Sequence, residues 1–308
     1  FINAQDGRMN GTVEQGAWME INEINKTTLE FGWLSHISPR STVKWYRGAS
    51  SIGIYPTGLT INGVKSDYKD NLESKGIAIA GVTYSINKQI KFRLWDHWVE
   101  NIFNTVFLQA DGEFSLEGNR KIFAGVQYIH QQAVSDGGNA DVSKTYFDPS
   151  QSANIYGIRA GLKNKKTTIR LNYTRITNDG RFLFPREWGR EPLFTFLPRE
   201  RNEGLGDVNA ITANFLRNYF REKLLVDISA GYYGLPDVKD TRLNKYGLPS
   251  YYQLNFDLKY SFSKFFDGLN VQVLYLYKLG KGNIYEDLRY VINKTDMQQI
   301  NFVINYNF

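Results

Sequence analysis

Cysteine is absent from the 308 residues, and proline is scarce, with 8. Without Cys there is neither a disulfide framework nor a thiolate metal site. The lack suits an envelope protein that crosses an oxidising compartment, although many soluble proteins share it. No stretch approaches the ~18 consecutive apolar residues of a membrane-spanning helix, which excludes a helical membrane protein. No signal peptide is visible and the first residue is Phe1, so the chain reads as mature or trimmed. No phosphate-binding Gly loop and no His-plus-carboxylate metal spacing occurs, so no cofactor or metal is expected. Aromatics, by contrast, are plentiful: 20 Tyr and 20 Phe stand beside 27 Gly. The formal charge of +6 is compatible with nucleic acid, a membrane surface or an anionic solute, and chooses none of them. Its spread along the chain, rather than in one cluster, argues against nucleic acid.

The dominant pattern has a period of two. In "YYQLNFDLKYSF" (251–262), Tyr252, Leu254, Phe256, Leu258, Tyr260 and Phe262 alternate with Gln253, Asn255, Asp257, Lys259 and Ser261. "TTIRLNYT" (167–174) sets Ile169, Leu171 and Tyr173 against Arg170, Asn172 and Thr174, and "QIKFRLW" (89–95) sets Ile90, Phe92 and Leu94 against Lys91 and Arg93. Such alternation is the mark of a strand with one apolar and one polar face. About thirteen segments of roughly 9–12 residues read this way, the length a tilted strand needs to cross a bilayer. They begin near Gln15, Thr27, Lys75, Gln89, Ile102, Arg120, Asn154, Lys166, Asp207, Lys223, Ser250, Leu269 and Met297.

Short turns such as "INKQ" (86–89) and "KNKK" (163–166) alternate with long links over roughly 36–74, 133–152, 177–206, 233–249 and 279–296. Short turns on one side and long loops on the other mark an all-β, transmembrane antiparallel β-barrel of an outer membrane. A soluble β-sandwich also alternates, but so many long strands exceed the usual sandwich. Aromatics near strand ends (Tyr251, Tyr252, Tyr260, Phe262, Tyr275, Tyr277, Tyr306, Phe308) fit interfacial girdles. The chain stops on Phe308, and this last strand resembles the C-terminal signature of Gram-negative outer-membrane proteins, a resemblance that implies its recognition by the barrel-assembly machinery. If that strand descends to the periplasm, all five long links fall outside, and so do residues 1–14. A bacterial barrel has an even strand count and both termini in the periplasm. The expectation is therefore that an odd number of N-terminal strands is absent from this chain.

Four stretches carry a resemblance. "GAWMEINEINKTTLEFGWLSHISPRST" (16–42), "FPREWGREPLFTFLPRERNEGLGD" (184–207), "YYGLPDVKDTRLNKYGLPSYYQLNFDLKY" (232–260) and "NKTDMQQINFVINYNF" (293–308) resemble the OprD family of substrate-specific porins. The resemblance runs essentially end to end, so residues 1–308 read as one barrel domain. It implies eighteen strands, which five missing ones would restore. It also implies a narrow water-filled channel for small carboxylate-bearing, anionic or zwitterionic solutes, constricted by an inward loop and lined by a row of basic side chains. The 36–74 link is the candidate constriction, offering Arg40, Lys44 and Arg47. The polar strand faces offer Lys91, Arg93, Arg159, Arg170 and Lys259 for the row. The competing reading pairs these cations with lumen acids such as Glu20, Glu30, Asp227 and Asp257. For 185–204, an inward loop offering Arg competes with a self-paired external loop, and the external loop is preferred for most of its charges.

Three functions remain: a selective porin, a plugged or structural barrel that partners another envelope protein, and a barrel hydrolase. The hydrolase would rest on His97 in "WDHW", whose Trp95 and Trp98 read more simply as an interface belt. A catalytic role is not expected. The oligomeric state is open between a monomer and a loose trimer.

Overall fold

The computed structural model describes residues 11–200, 202–263 and 266–307. Among them run β1 (Val13–Ile21), β2 (Thr27–Ser38), the two-residue β3 (Tyr46–Arg47), β4 (Ile77–Ser85), β5 (Ile90–Val99), β6 (Phe103–Leu116) and β7 (Arg120–Ala133). Then come β8 (Ser152–Lys163), β9 (Thr167–Ile176), β10 (Val208–Tyr219), β11 (Leu224–Gly234), β12 (Tyr251–Ser261), β13 (Leu269–Gly280) and β14 (Met297–Tyr306). Every long strand starts within two residues of its expected position. Sequence neighbours pair antiparallel along a single sheet, β1-β2-β4 through to β14, with β3 beside β2. Phe308 and residues 1–10, to which terminal roles were assigned, lie outside the described residues.

Three-residue turns such as 117–119 close one end of the sheet, and links 39–76, 134–151, 177–207, 235–250 and 281–296 crowd the other. In the 117–119 turn Gly118 and Asn119 both take positive φ, 69° and 58°, as a tight right-twisting hairpin requires. The 100–102 link is the brief exception at the long-loop end.

The two faces of the sheet differ in what they solvate. The outer face presents bare apolar side chains: Leu171 is 58% exposed, Val126 55%, and along β14 Ile300 reaches 70% and Phe302 64%. Leaving such groups in water costs ~1.5–3 kcal/mol each, so hydrocarbon is the solvent this face needs. The inner face buries amides and hydroxyls instead: Gln127, Gln131, Asn172, Thr174, Thr212, Asn214, Gln253 and Asn255. A sandwich would bury its apolar face and expose its polar one, so that alternative fails. Tyr252 stands outward at 43% exposure, but Tyr251 points inward at 1% and stacks on Tyr233 at 4.8 Å. Its place in the girdle is therefore corrected: odd and even positions of one strand cannot share a face. At the long-loop end a separate apolar cluster forms from Ile37, Ile52, Tyr68, Leu72, Ile102, Phe103, Tyr146, Phe147 and Trp188.

Candidate functional site

The 177–207 link bends into the lumen and crosses it. Its backbone is held by inner-face side chains of successive strands. Gln131 of β7 brackets Leu183, donating to its carbonyl at 2.7 Å and accepting from its N–H at 2.9 Å. Gln127 donates to the Pro192 carbonyl at 3.0 Å, and the Tyr233 hydroxyl of β11 to the Thr195 carbonyl at 2.8 Å. Gln253 and Asn255 of β12 both donate to the Pro198 carbonyl, at 2.9 and 3.0 Å. Lys278 of β13 donates to the Arg199 carbonyl at 2.9 Å, and Arg199 reaches Asn301 of β14 at 2.8 Å. A buried loop must satisfy its carbonyls, and the amide rows of the wall do so. The 185–204 stretch is thus an inward loop, which corrects the preference for an external one. Its charges do pair in part: Arg186 Nε meets Glu203 at 3.3 Å.

The 39–76 link stands on this inward loop. Glu187 accepts from the Gly53 and Tyr55 N–H groups at 3.0 and 2.9 Å, and Trp188 Nε1 donates to Ser51 at 2.8 Å. Arg181 donates to the Leu59 and Thr60 carbonyls at 2.7 and 3.0 Å. At the top, Lys245 is fully buried among Tyr68, Tyr146 and Tyr246, with Glu203 at 3.8 Å, and joins four links at one point. Burial pushes its ammonium down to about 8 from 10.5, against the pull of Glu203.

Between the inward loop and the wall lies a cavity of about 460 Å³. Arg93, Arg159 and Arg170 enter it from the wall, and Arg190 from the loop. The register explains the arrangement. Asp111 of β6, Gly125 of β7 and Arg159 of β8 are consecutive cross-strand partners on the inner face. A Cβ at Gly125 would lie 2.8 Å from Asp111 and 2.9 Å from Arg159, so the missing side chain lets Arg159 reach across β7 to Asp111. Asp111 also meets Arg93 at 3.3 Å and accepts from Gln109 at 2.6 Å. One carboxylate therefore bridges two guanidiniums, and one positive charge is left over. Arg170 bonds the neutral Asn214 at 3.0 Å, and Asn214 reaches Asp227 only through Ser229. Gly157 likewise leaves room for Phe194, over which Arg159 sits at 4.4 Å.

The other expected residues lie apart from this cavity. Lys91 opens into a second cavity of about 940 Å³ at the short-turn end, which Arg93 and Arg159 also border. Arg40 borders a third, of about 1250 Å³, at the long-loop end, with its guanidinium over the Tyr55 ring at 5.4 Å. Lys44 and Arg47 are exposed and border none of these three cavities. Lys259 pairs with Asp257 at 3.5 Å, as the competing reading had it. For Arg93 and Arg159, however, the acid is Asp111, which that reading did not include. Asp111 alternates in step with Gln109 and Glu113, so its face was legible, but its partners depend on register.

Trp95 turns inward to line the central cavity, 6.4 Å from Trp18, and does not join an interface belt. Trp98 is outward and 37% exposed. His97 faces the same cavity, while Asp96 follows on the opposite face, so the two do not form a catalytic pair across adjacent positions.

An antiparallel sheet with a lipid-facing exterior, a polar interior and a loop across the lumen defines an outer-membrane channel. The family model of the outer membrane porins of the OprD family matches residues 1–201, and the chain belongs to that family. No curated protein matches in a sequence search. Among solved structures, Acinetobacter baumannii OccAB4 superposes with a TM-score of 0.75 at 15% identity, over 98% of this chain and 67% of that one. Pseudomonas aeruginosa OccK8 (OprE) gives 0.77 at 14%, over 99% and 72%. P. aeruginosa OccK2 (OpdF), in complex with glucuronate, gives 0.73 at 14%, over 99% and 73%. The protein is therefore a porin of the Gram-negative outer membrane.

Proposed function

We propose that the channel passes small carboxylate-bearing solutes through an aperture set by the 177–207 loop, with 36–74 bracing it from outside. One observation carries this reading: Arg93, Arg159, Arg170 and Arg190 border a single cavity inside the lumen, with Asp111 and Glu191, which also lines it, neutralising only part of their charge. A low-dielectric wall strengthens such a field, and guanidinium forks match carboxylates. Glucuronate, found with the OccK2 relative, is a solute of this kind. Lys91 and Arg40, bordering the cavities below and above, extend the positive path. Lys44 and Arg47 are exposed away from these cavities and Lys259 is paired with Asp257, so this path does not rely on them.

The test is a reversal potential across a salt gradient in a planar bilayer, on the intact native protein. An anion-preferring pore whose preference falls in Arg93→Ala and Arg170→Ala is the expected result. A cation-preferring pore would refute the basic path.

Within the described residues β1 and β14 each pair on one side only. Open ladder edges are untenable in hydrocarbon, so we infer that further strands complete the ring. A native intact mass near 35.5 kDa would refute this.

A further inference from the structure

The third cavity, at the long-loop end, differs in kind from the central one. It holds about 1250 Å³, and among the described residues nine Lys and Arg border it against one acid, Glu200. Further acids stand behind its wall: Glu203 beside Arg186, Asp287 beside Arg289, and Glu187 and Glu191, whose charges also act on Arg186. Cations remain in clear excess.

How they are held is as informative as their number. The Lys278 ammonium is tied to the Arg199 carbonyl at 2.9 Å. Lys294 is tied to the Arg289 carbonyl at 2.7 Å and the Gly247 carbonyl at 3.3 Å. Arg199 is tied to the Asn301 amide oxygen at 2.8 Å. A neutral acceptor fixes the position of a cation without cancelling its charge, and donors remain for a ligand. Lys65 and Lys69 extend into the same space from the 39–76 link and are exposed. The cations come from the 39–76, 177–207, 235–250 and 281–296 links and from β13, so they surround the space instead of lining one side.

A single carboxylate touches one or two such groups and leaves the rest repelling one another. A solute with several oxyanion groups spaced over its length neutralises more of them at once. We propose that this outer cavity is a capture site for oligoanionic solutes, carrying three or more carboxylate or phosphate groups, ahead of the central aperture. The proposal goes beyond the carboxylate channel above and relies on it only for the route by which a captured solute leaves.

The test is titration calorimetry of citrate and of acetate into the intact native protein in detergent at low salt. Citrate is expected to bind at least about tenfold more tightly, the effect of one added charge contact. Lys65→Ala combined with Lys294→Ala lowers citrate affinity about tenfold or more, with folding checked by heat-modifiable gel mobility. Lys144→Ala, on an outer link away from the cavity, leaves it unchanged. Tripolyphosphate in place of citrate distinguishes phosphorylated from carboxylated solutes, and preference for either over acetate supports the site. Equal affinity for all three anions overturns it, as does citrate binding indifferent to the double substitution. Calorimetry needs no current, so the two readings fail separately. A protein that binds citrate but does not conduct refutes the channel, and one that conducts without preferring oligoanions refutes the capture site.

Discussion

Replacing Asp111 by Asn keeps the shape of the side chain and its contact with Gln109 while removing the charge shared by Arg93 and Arg159. The Asp111 side chain is 18% exposed and borders the water-filled path, so the dielectric of water gives the conservative limit. A unit charge about 5 Å from a passing ion is then worth roughly 0.8 kcal/mol. Salt at ~0.1 M, with a Debye length of ~10 Å, trims this to about 0.5 kcal/mol. An anion gains that amount and a cation loses it, so their ratio moves by about 1 kcal/mol, or roughly fivefold. A higher salt should shrink the change. The assay is the reversal potential of Asp111→Asn across a potassium chloride gradient, alongside Arg93→Gln, which should shift it the other way. An unchanged potential in a correctly folded Asp111→Asn barrel would show that the bridged pair does not face the ion path.

Gly125→Val should lower conductance, because its side chain collides with both partners of the Arg159–Asp111 bridge; wild-type conductance from a folded barrel would contradict the register argument. Trp188→Ala removes a ring packed 6.0 Å from Phe103 and a hydrogen bond to Ser51. A cost of ~3–5 kcal/mol to loop packing is expected, read as faster proteolysis of 39–76 with the barrel intact. Lys245 has its pKa lowered to about 8 in the docked loops, from 10.5 when undocked, so the docked form holds fewer protons between those values. Docking should therefore tighten as pH rises from about 8 to 10.5, by at most about 3 kcal/mol, and stay weaker below 8. The facing phenols of Tyr68, Tyr146 and Tyr246 are pushed well above 10 by burial, and Arg181 is lowered to about 10, so Lys245 dominates the lower part of that window. Amide protection factors of these loops at pH 7 and 9, each taken relative to the base-catalysed intrinsic exchange rate at that pH, check the sign, and lower protection at pH 9 would overturn it.

Strand positions were legible because a period of two is a local property, written in each ten-residue stretch of this chain. Arg93, Arg159 and Arg170 could be placed on the inner face for the same reason. Their partners could not. The bridge from Arg159 to Asp111 needs strands 48 residues apart in sequence to stand two places apart in the sheet, with a glycine between them. Nothing near either residue encodes that. The inward course of 177–207 was missed because its Arg and Glu residues look like a solvated charge run. The clue was in the wall: Gln127, Gln131, Gln253 and Asn255 are long amides on strand faces that otherwise need only water. Such amides imply a backbone laid against them.

The inward loop is tied at its carbonyls to β7, β11, β12 and β13, and by Arg199 to β14. So many anchors predict the behaviour of a sieve and not of a valve. Solute flux should therefore follow the concentration difference without a waiting time for opening, and selectivity should be a property of the mesh itself.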